Sequence, residues 1–342
     1  MPDELTTLAV DLGATRTRIA LVTDGLIGER LASATAELVA PQGAAADALV
    51  AASRSIVSRG PSAIAAVGLG MAATVDPKGS VLQGRDIGIL AGTPLREAFA
   101  DAFGVPVAVD NDANLAALAE HRLGAARGHS TAAVLTLGTN IGLGLILDGR
   151  VHRGARGAAG EVGLLLVPAA SIGAHRGERR VVDAGRFGRA PSAAPEGYAW
   201  IEELVGGGAL AAAAMMAHGG SDGTPHARTL TVAALSDPGV RPLAQRAIEG
   251  WALIIADLNV VLDLEVVVLT GGVATDAAHL LEALQRRVAE LVAFAPEIRL
   301  GTMGPDAELL GADLLARAAF DAEAAATNAR AGLSAHATGG ER

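Results

Sequence analysis

Two stretches of this chain carry the same pattern of apolar and small polar positions. The first is Leu8-Ala-Val-Asp11-Leu-Gly13-Ala-Thr15, then an apolar strand from Ile19 to Val22 and the turn Asp24-Gly25. The second is Ala133-Val-Leu-Thr136-Leu-Gly138-Thr139-Asn140, then an apolar strand from Leu143 to Leu147 and Asp148-Gly149. Gly13 to Asp24 spans 11 residues and Gly138 to Asp148 spans 10, so the two units are nearly superimposable. Asp-Gly between apolar runs predicts a hairpin. A glycine followed by a threonine at the first bend offers free backbone N–H groups and a hydroxyl, the parts of an anion cradle. Two such loops from two halves of one chain are expected to close on a polyphosphate from opposite sides.

Between and after these units, strand-like and helix-like runs alternate. In the first half the pattern predicts a helix from Gly43 to Arg59 opened by Pro41, and a strand from Ala63 to Gly68. A turn with a short strand follows over Val75 to Leu82, then a helix from Thr93 to Phe103 and a strand from Val105 to Val109. Asn111-Asp112-Ala113-Asn114 comes next, with a helix from Leu115 to Leu123 beginning after it. Beyond the second unit lie a Gly/Arg-rich loop, Gly154 to Gly163, and a Pro/Gly/Ala-rich stretch from Pro168 to Gly197. Helices are expected to about Leu262, then a strand from Glu265 to Leu269, a loop at Thr270-Gly271-Gly272, a helix from Asp276 to Phe294 and a last amphipathic helix from Asp306 to Phe320. The Ala-rich tail after Asp321 lacks apolar periodicity and is expected to be poorly ordered. Strands alternating with helices around a repeated opening unit predict an α/β protein of two related lobes with a ligand cleft between them. The expected division is 1–114, 115–320 with the last helix able to pack back on the first lobe, and a tail over 321–342.

Composition narrows the chemistry. The chain has 342 residues, 51% of them hydrophobic and 19% charged, which suits two packed globular lobes. Its most apolar stretch, Trp251 to Thr270, contains Asp257, Asp263 and Glu265 and reads as a buried helix and strand, not a membrane span. The start has no basic region of a signal peptide, so cytoplasm is the expected location. No cysteine is present, which excludes disulfides, thiolate nucleophiles and thiolate zinc sites. A net charge of −10 without a basic cluster argues against nucleic-acid binding. Of 27 basic residues only Lys78 is a lysine, so no G-x-x-x-x-G-K-[ST] loop exists, and Lys78 sits at a turn, Asp76-Pro77-Lys78-Gly79.

Several motifs carry a bland reading beside a chemical one. Gly68-Leu-Gly70-Met-Ala-Ala73 loosely matches a dinucleotide loop, but Asp76-Pro77 breaks the chain where a helix should start, so close backbone packing is the better reading. Asp11, at the end of a strand beside the first loop, is suited to hold the hydration shell of Mg²⁺ on phosphates. Arg16 adds a cation there or is a solvated strand residue. Asn111 and Asp112 suit helix capping, and a carboxylate at a strand end is also well placed to take a proton from a hydroxyl. Small residues over Arg153 to Gly160 allow close approach, and Glu161 offers an acceptor for hydroxyl groups. The eight histidines show no metal-ligand spacing.

With these segments in this order, the chain resembles the ROK family of sugar kinases, a branch of the actin-like, hexokinase-like ATPase fold. The resemblance runs from Leu8 to about Phe320. It rests on Asp11 to Thr15, Asn111 to Asn114, Leu135 to Gly144, Arg153 to Gly163 and Leu269 to Val273. It implies that Gly13, Thr15, Gly138 and Thr139 bind ATP phosphates and that Gly271 and Gly272 lie by the adenosine. It also implies that Asp112 is the catalytic base and that Asn111, Glu161 and Glu202 bind the sugar. The implied activity is ATP- and Mg²⁺-dependent phosphorylation of a hydroxyl on a sugar or sugar-like molecule, and homodimers are common in such a family.

The chain also departs from that family. Leu164 stands where relatives have a histidine that contacts sugar and ligates a structural zinc with three cysteines. No structural zinc is therefore expected, and the pocket wall at Leu164 is expected to be apolar. Asn140 replaces a common glycine and Arg16 a common lysine. Repressor members carry a DNA-binding domain before the first glycine loop. Ten residues precede Asp11 here, so that role is not expected. The alternative function is a non-catalytic sugar or nucleotide sensor on the same scaffold.

Overall fold

The computed structural model describes residues 5–39, 45–60, 63–76, 78–83, 87, 89, 91–168, 170, 194–217 and 229–338. They fall into two compact units. One holds the described residues of Met1–Leu115 and Glu308–Arg342, the other those of Ala116–Ala307.

The first unit is built on a five-stranded sheet. Its strands are β1 (Thr6–Leu12), β2 (Arg16–Thr23), β3 (Leu26–Ala34), β4 (Ala66–Met71) and β7 (Val107–Asn111), in the order β3-β2-β1-β4-β7. β1 to β3 form an antiparallel meander, while β4 and β7 are parallel to β1. β3 is mostly exposed and lacks a clear period-2 pattern, which is why the hydrophobic reading stopped at the turn before it. A small hairpin of β5 (Thr74–Val75) and β6 (Val81–Gln83) carries Lys78, exposed at its tip.

Helices α1 (Thr35–Val39), α2 (Ala45–Val57) and α3 (Leu95–Phe103) belong to this unit. Pro41 and Gly43, expected to open the second of these, lie outside the described residues. β1 is buried along its whole length because both faces are covered. Leu8, Val10 and Leu12 enter a core with Leu49, Ile56 and Phe99, while Ala9 and Ala20 meet Leu309 and Ala312 of the last helix. Small residues on that face admit the helix closely: a Cβ on Gly68 would stand 1.9 Å from the Ala312 carbonyl oxygen. The G-x-G at this strand is thus a helix-packing feature.

The second unit repeats the plan. Its strands are β8 (Ala132–Leu137), β9 (Ile141–Leu147), β10 (Arg150–Val151), β13 (Val266–Thr270) and β14 (Glu297–Leu300), in the order β10-β9-β8-β13-β14. Again the first three are antiparallel and the last two parallel to the first. Both meanders turn at Asp-Gly pairs with positive φ, Asp24-Gly25 and Asp148-Gly149, as a type I′ hairpin requires.

One face of the second sheet packs on α7 (Arg241–Leu262) and α9 (Leu281–Leu291) through Leu135, Ile254, Ile255 and Val288. The other face meets Ala116 and Ala117 of α4 (Asp112–Arg122). A two-stranded ribbon of β11 (Leu166–Pro168) and β12 (Tyr198–Trp200) and helices α5 (Ile201–Val205), α6 (Gly207–Ala217) and α8 (Gly272–Asp276) complete it. Most of the Pro168 to Gly197 stretch lies outside the described residues.

Three elements differ from the sequence reading. α4 starts at Asp112, not after the Asn-Asp-Ala-Asn motif, because the Asn111 side chain caps it. The helix expected from Asp276 is divided: α8 begins at Gly272, a turn follows over Ala278–Leu280, and α9 ends at Leu291. The last helix, α10 (Ala307–Thr338), continues past Phe320, in keeping with the high helix propensity of alanine. From Glu308 onward α10 belongs to the first unit, which is thus built from both ends of the chain.

Candidate active site

The two glycine loops are closed in the same manner. In the first, Leu12 pairs with Thr17 and the Gly13 N–H donates to the Arg16 carbonyl at 3.1 Å. In the second, Leu137 pairs with Ile141 and the Gly138 N–H donates to the Asn140 carbonyl at 3.1 Å. The second loop is one residue shorter, which accounts for the 11- and 10-residue spacings. In both loops the carbonyls are tied to protein. Thr35 donates its hydroxyl to the Gly13 carbonyl at 2.7 Å and its N–H to the Thr15 carbonyl at 3.1 Å. Gly207 and Gly208 donate N–H groups to the Gly138 and Thr139 carbonyls at 3.0 and 2.9 Å. Thr15 and Thr139 are both exposed, as is Arg16.

Asp11, one residue before the end of β1, is 3% exposed. Arg18, its cross-strand neighbour, donates both Nε–H (2.9 Å) and Nη2–H (2.6 Å) to Asp11 Oδ2. Arg18 Nη2 also lies 2.8 Å from Glu308 Oε2 of α10. Burial pushes the Asp11 carboxyl up to about 6; Arg18 opposes that shift and Glu308 adds to it. The two carboxylates raise the affinity of Arg18 for its own proton against the effect of burial. Spacing within either strand gives no sign of this triad, since Glu308 lies far along the chain.

For a metal, the donor set is sparse: among the described residues no group of three or more His, Asp or Glu is placed to hold an ion alone. Asp11 has Oδ2 committed to Arg18, which leaves Oδ1 for a bound water. These residues fit a Mg²⁺ held by phosphate oxygens and water, with Asp11 in its outer shell.

At the junction of β7 and α4 the motif divides its labour. Asn111 is engaged in structure: its Oδ1 accepts the Ala113 N–H at 2.9 Å and its Nδ2 donates one N–H to the Ala73 carbonyl at 3.2 Å. Asp112 Oδ1 accepts the same Ala113 N–H at 2.8 Å, and the residue is half-buried. Beneath the turn, Asp110, 4% exposed, accepts the Asn111 N–H and the Asn114 Nδ2–H, each at 2.8 Å. Asp110 escaped the sequence reading although it immediately precedes the motif.

In the second unit, exposed Glu161 precedes a short turn, Val162–Leu164, with Leu164 half-buried at its end. Gly160 has φ +92° and a Cβ there would meet the Leu143 carbonyl at 2.1 Å, so only glycine fits. Glu202 is 9% exposed, and its Oε2 accepts the Ile141 N–H at 3.1 Å. Gly271, at φ +94°, passes against the Leu137 carbonyl, and Gly272 opens α8. A small recess beside the second loop is lined by Gly207, Leu210, Thr229, Leu230, Val273 and Asp276.

The sequence profile of the ROK family matches residues 7–319. The bifunctional enzyme NanE/NanK of Brucella melitensis is 31% identical over 313 residues, covering 90% of this chain and 54% of that protein. The chain thus spans about half the length of that relative. The N-acetylmannosamine kinase of Escherichia coli is 30% identical over 319 residues, covering 92% of this chain and 99% of that protein. A ROK family glucokinase from Streptomyces griseus, solved with glucose and AMPPNP, superposes with a TM-score of 0.73 at 26% identity, covering 91% and 99% of the two chains. Twin sheets of one topology, paired glycine loops and a profile match over almost the whole chain lead to one conclusion: the chain belongs to the ROK family.

Proposed function

We propose that this protein transfers the γ-phosphoryl group of ATP to a hydroxyl of a sugar or sugar-like small molecule. The observation that carries this is the pair of loops with the same glycine closure, together with a half-buried Asp112 at a strand–helix junction. Kinase activity named for relatives on N-acetylmannosamine and glucose supports it. Gly13, Thr15, Gly138 and Thr139 form the two phosphate-binding loops: the glycine N–H groups close the loops, and the threonines supply hydroxyl donors. Gly271 and Gly272 lie along the nucleoside. Asn111, Glu161 and Glu202 orient the acceptor, and Asp112 takes the proton of the attacking hydroxyl as its oxygen bonds to phosphorus. Mg²⁺, when bound to the nucleotide with Asp11 in its outer shell, neutralises phosphate charge.

The test is an ADP-release screen over hexoses, amino sugars and N-acetyl sugars, run beside the Asp112→Asn variant. Turnover on at least one sugar is expected. Asp112→Asn, nearly isosteric and still able to accept the Ala113 N–H, should lower kcat by about 10²–10⁴-fold while nucleotide affinity holds. A variant that keeps most of its turnover would reduce Asp112 to a helix cap.

A further inference from the structure

Three consecutive glycines, Gly206-Gly207-Gly208, stand at the start of α6, where intrinsic propensity alone would not put them. The second loop explains two of them. A Cβ on Gly207 would lie 2.2 Å from the Gly138 carbonyl oxygen, and one on Gly208 would lie 3.3 Å from that of Thr139. Those two carbonyls are the ones that accept the Gly207 and Gly208 N–H groups.

The peptide unit is planar and trans, so its C=O and N–H point in opposite directions. Anchoring the Gly138 and Thr139 carbonyls on α6 therefore aims the N–H groups of Thr139 and Asn140 away from α6. Glu202 closes the same assembly from the other end. Its backbone carbonyl accepts the Gly206 N–H at 3.0 Å, and its side chain accepts the Ile141 N–H, where the loop re-enters β9. Gly163 lies against this carboxylate: a Cβ there would stand 2.8 Å from Glu202 Oε2, so a side chain would push the carboxylate from its place.

We propose that Glu202 and the Gly206–Gly208 run are positioning residues for the nucleotide, holding the second glycine loop with its N–H groups set for phosphate. Glu202 thus acts on the nucleotide side in addition to the acceptor role assigned above. This rests on the reading of Gly138 and Thr139 as a phosphate loop. A loop ordered in advance binds more tightly because the ordering cost is met before the ligand arrives.

The experiment is calorimetry of the full chain with AMPPNP and Mg²⁺ in the absence of any sugar. Glu202→Ala is expected to weaken binding by about tenfold or more, the scale of losing a charge-assisted hydrogen bond. Glu202→Gln keeps a carbonyl oxygen for the Ile141 N–H and should stay within about threefold of the parent. Gly207→Ala leaves Glu202 untouched but displaces the Gly138 carbonyl, and should lose affinity as Glu202→Ala does. It decides the matter should Glu202→Ala fail to fold. Unchanged AMPPNP affinity in Glu202→Ala or in Gly207→Ala would overturn the proposal and leave Glu202 an acceptor ligand alone. A parent protein that binds no AMPPNP would instead overturn the phosphate-loop reading itself.

Discussion

Asp11 and Asp112 lie at the C-terminal ends of strands in one sheet, yet they meet opposite environments. Asp112 is half-buried at a helix start, whereas Asp11 is buried and paired with Arg18, which also meets Glu308. Burial raises the Asp11 carboxyl from 3.8 to about 6, so between these values the folded chain binds more protons than the unfolded chain. Stability from this group is therefore full below about pH 4 and is lost as pH rises through about 6. Asp11→Asn removes the titration. Thermal melts from pH 4 to pH 7 should show the melting temperature of the parent falling relative to that of the variant. A constant gap across that range would mean that Arg18 holds Asp11 ionised throughout.

At the scale of elements, the two glycine loops share a closure but not a steric margin. A Cβ on Gly13 would stand 2.9 Å from the Arg16 carbonyl oxygen, a backbone atom that cannot swing aside. On Gly138 the equivalent contact is 3.8 Å from the Asn140 oxygen, ordinary van der Waals distance. Gly13→Ala should therefore destabilise the fold by about 1–3 kcal/mol, as overpacking commonly does. Gly138→Ala should change stability by less than about 0.5 kcal/mol. Urea unfolding of both variants checks this. Equal destabilisation would show that the loops are not built to the margins described. The duplicated pattern was legible in the sequence because the strands on both sides of each glycine loop are apolar and each unit ends on Asp-Gly. The difference in margin was not, since it depends on how one added residue bends the first loop.

On the scale of the molecule, the first unit depends on a helix that comes last in the chain. α10 sets Leu309 and Ala312 on Ala9 and Ala20, and Asp313 accepts the Thr7 hydroxyl at 2.6 Å. Arg317 bonds Asp313 and donates to the Leu5 carbonyl. Residues 321–330 of the same helix are exposed. A chain ended after Phe320 should melt within about 2 °C of the parent, since surface changes cost little. A chain ended after Asp306 loses the cover on one face of the first sheet and should fail to fold. A stable product from the second truncation would show that the first sheet needs no C-terminal helix.

The sequence by itself determined the elements whose signals are local: two apolar hairpins each followed by an Asp-Gly turn, a glycine and a hydroxyl at each first bend, and a carboxylate where a strand gives way to a helix. Those features need only neighbours within a few residues, so period and spacing reveal them. Tertiary structure alone decided the rest. Asp11 is joined to Glu308 through Arg18, although Arg16 is the cation nearer the loop in sequence. Glu202, expected from the family resemblance to bind the acceptor, has its carboxylate on the backbone of the second loop. Gly207 and Gly208 gain their meaning from the carbonyls of Gly138 and Thr139, nearly seventy positions earlier. Each of these contacts joins residues that chain order keeps apart, and only the packing of one element on another brings a charge to its counter-charge or a glycine to the carbonyl it must not block.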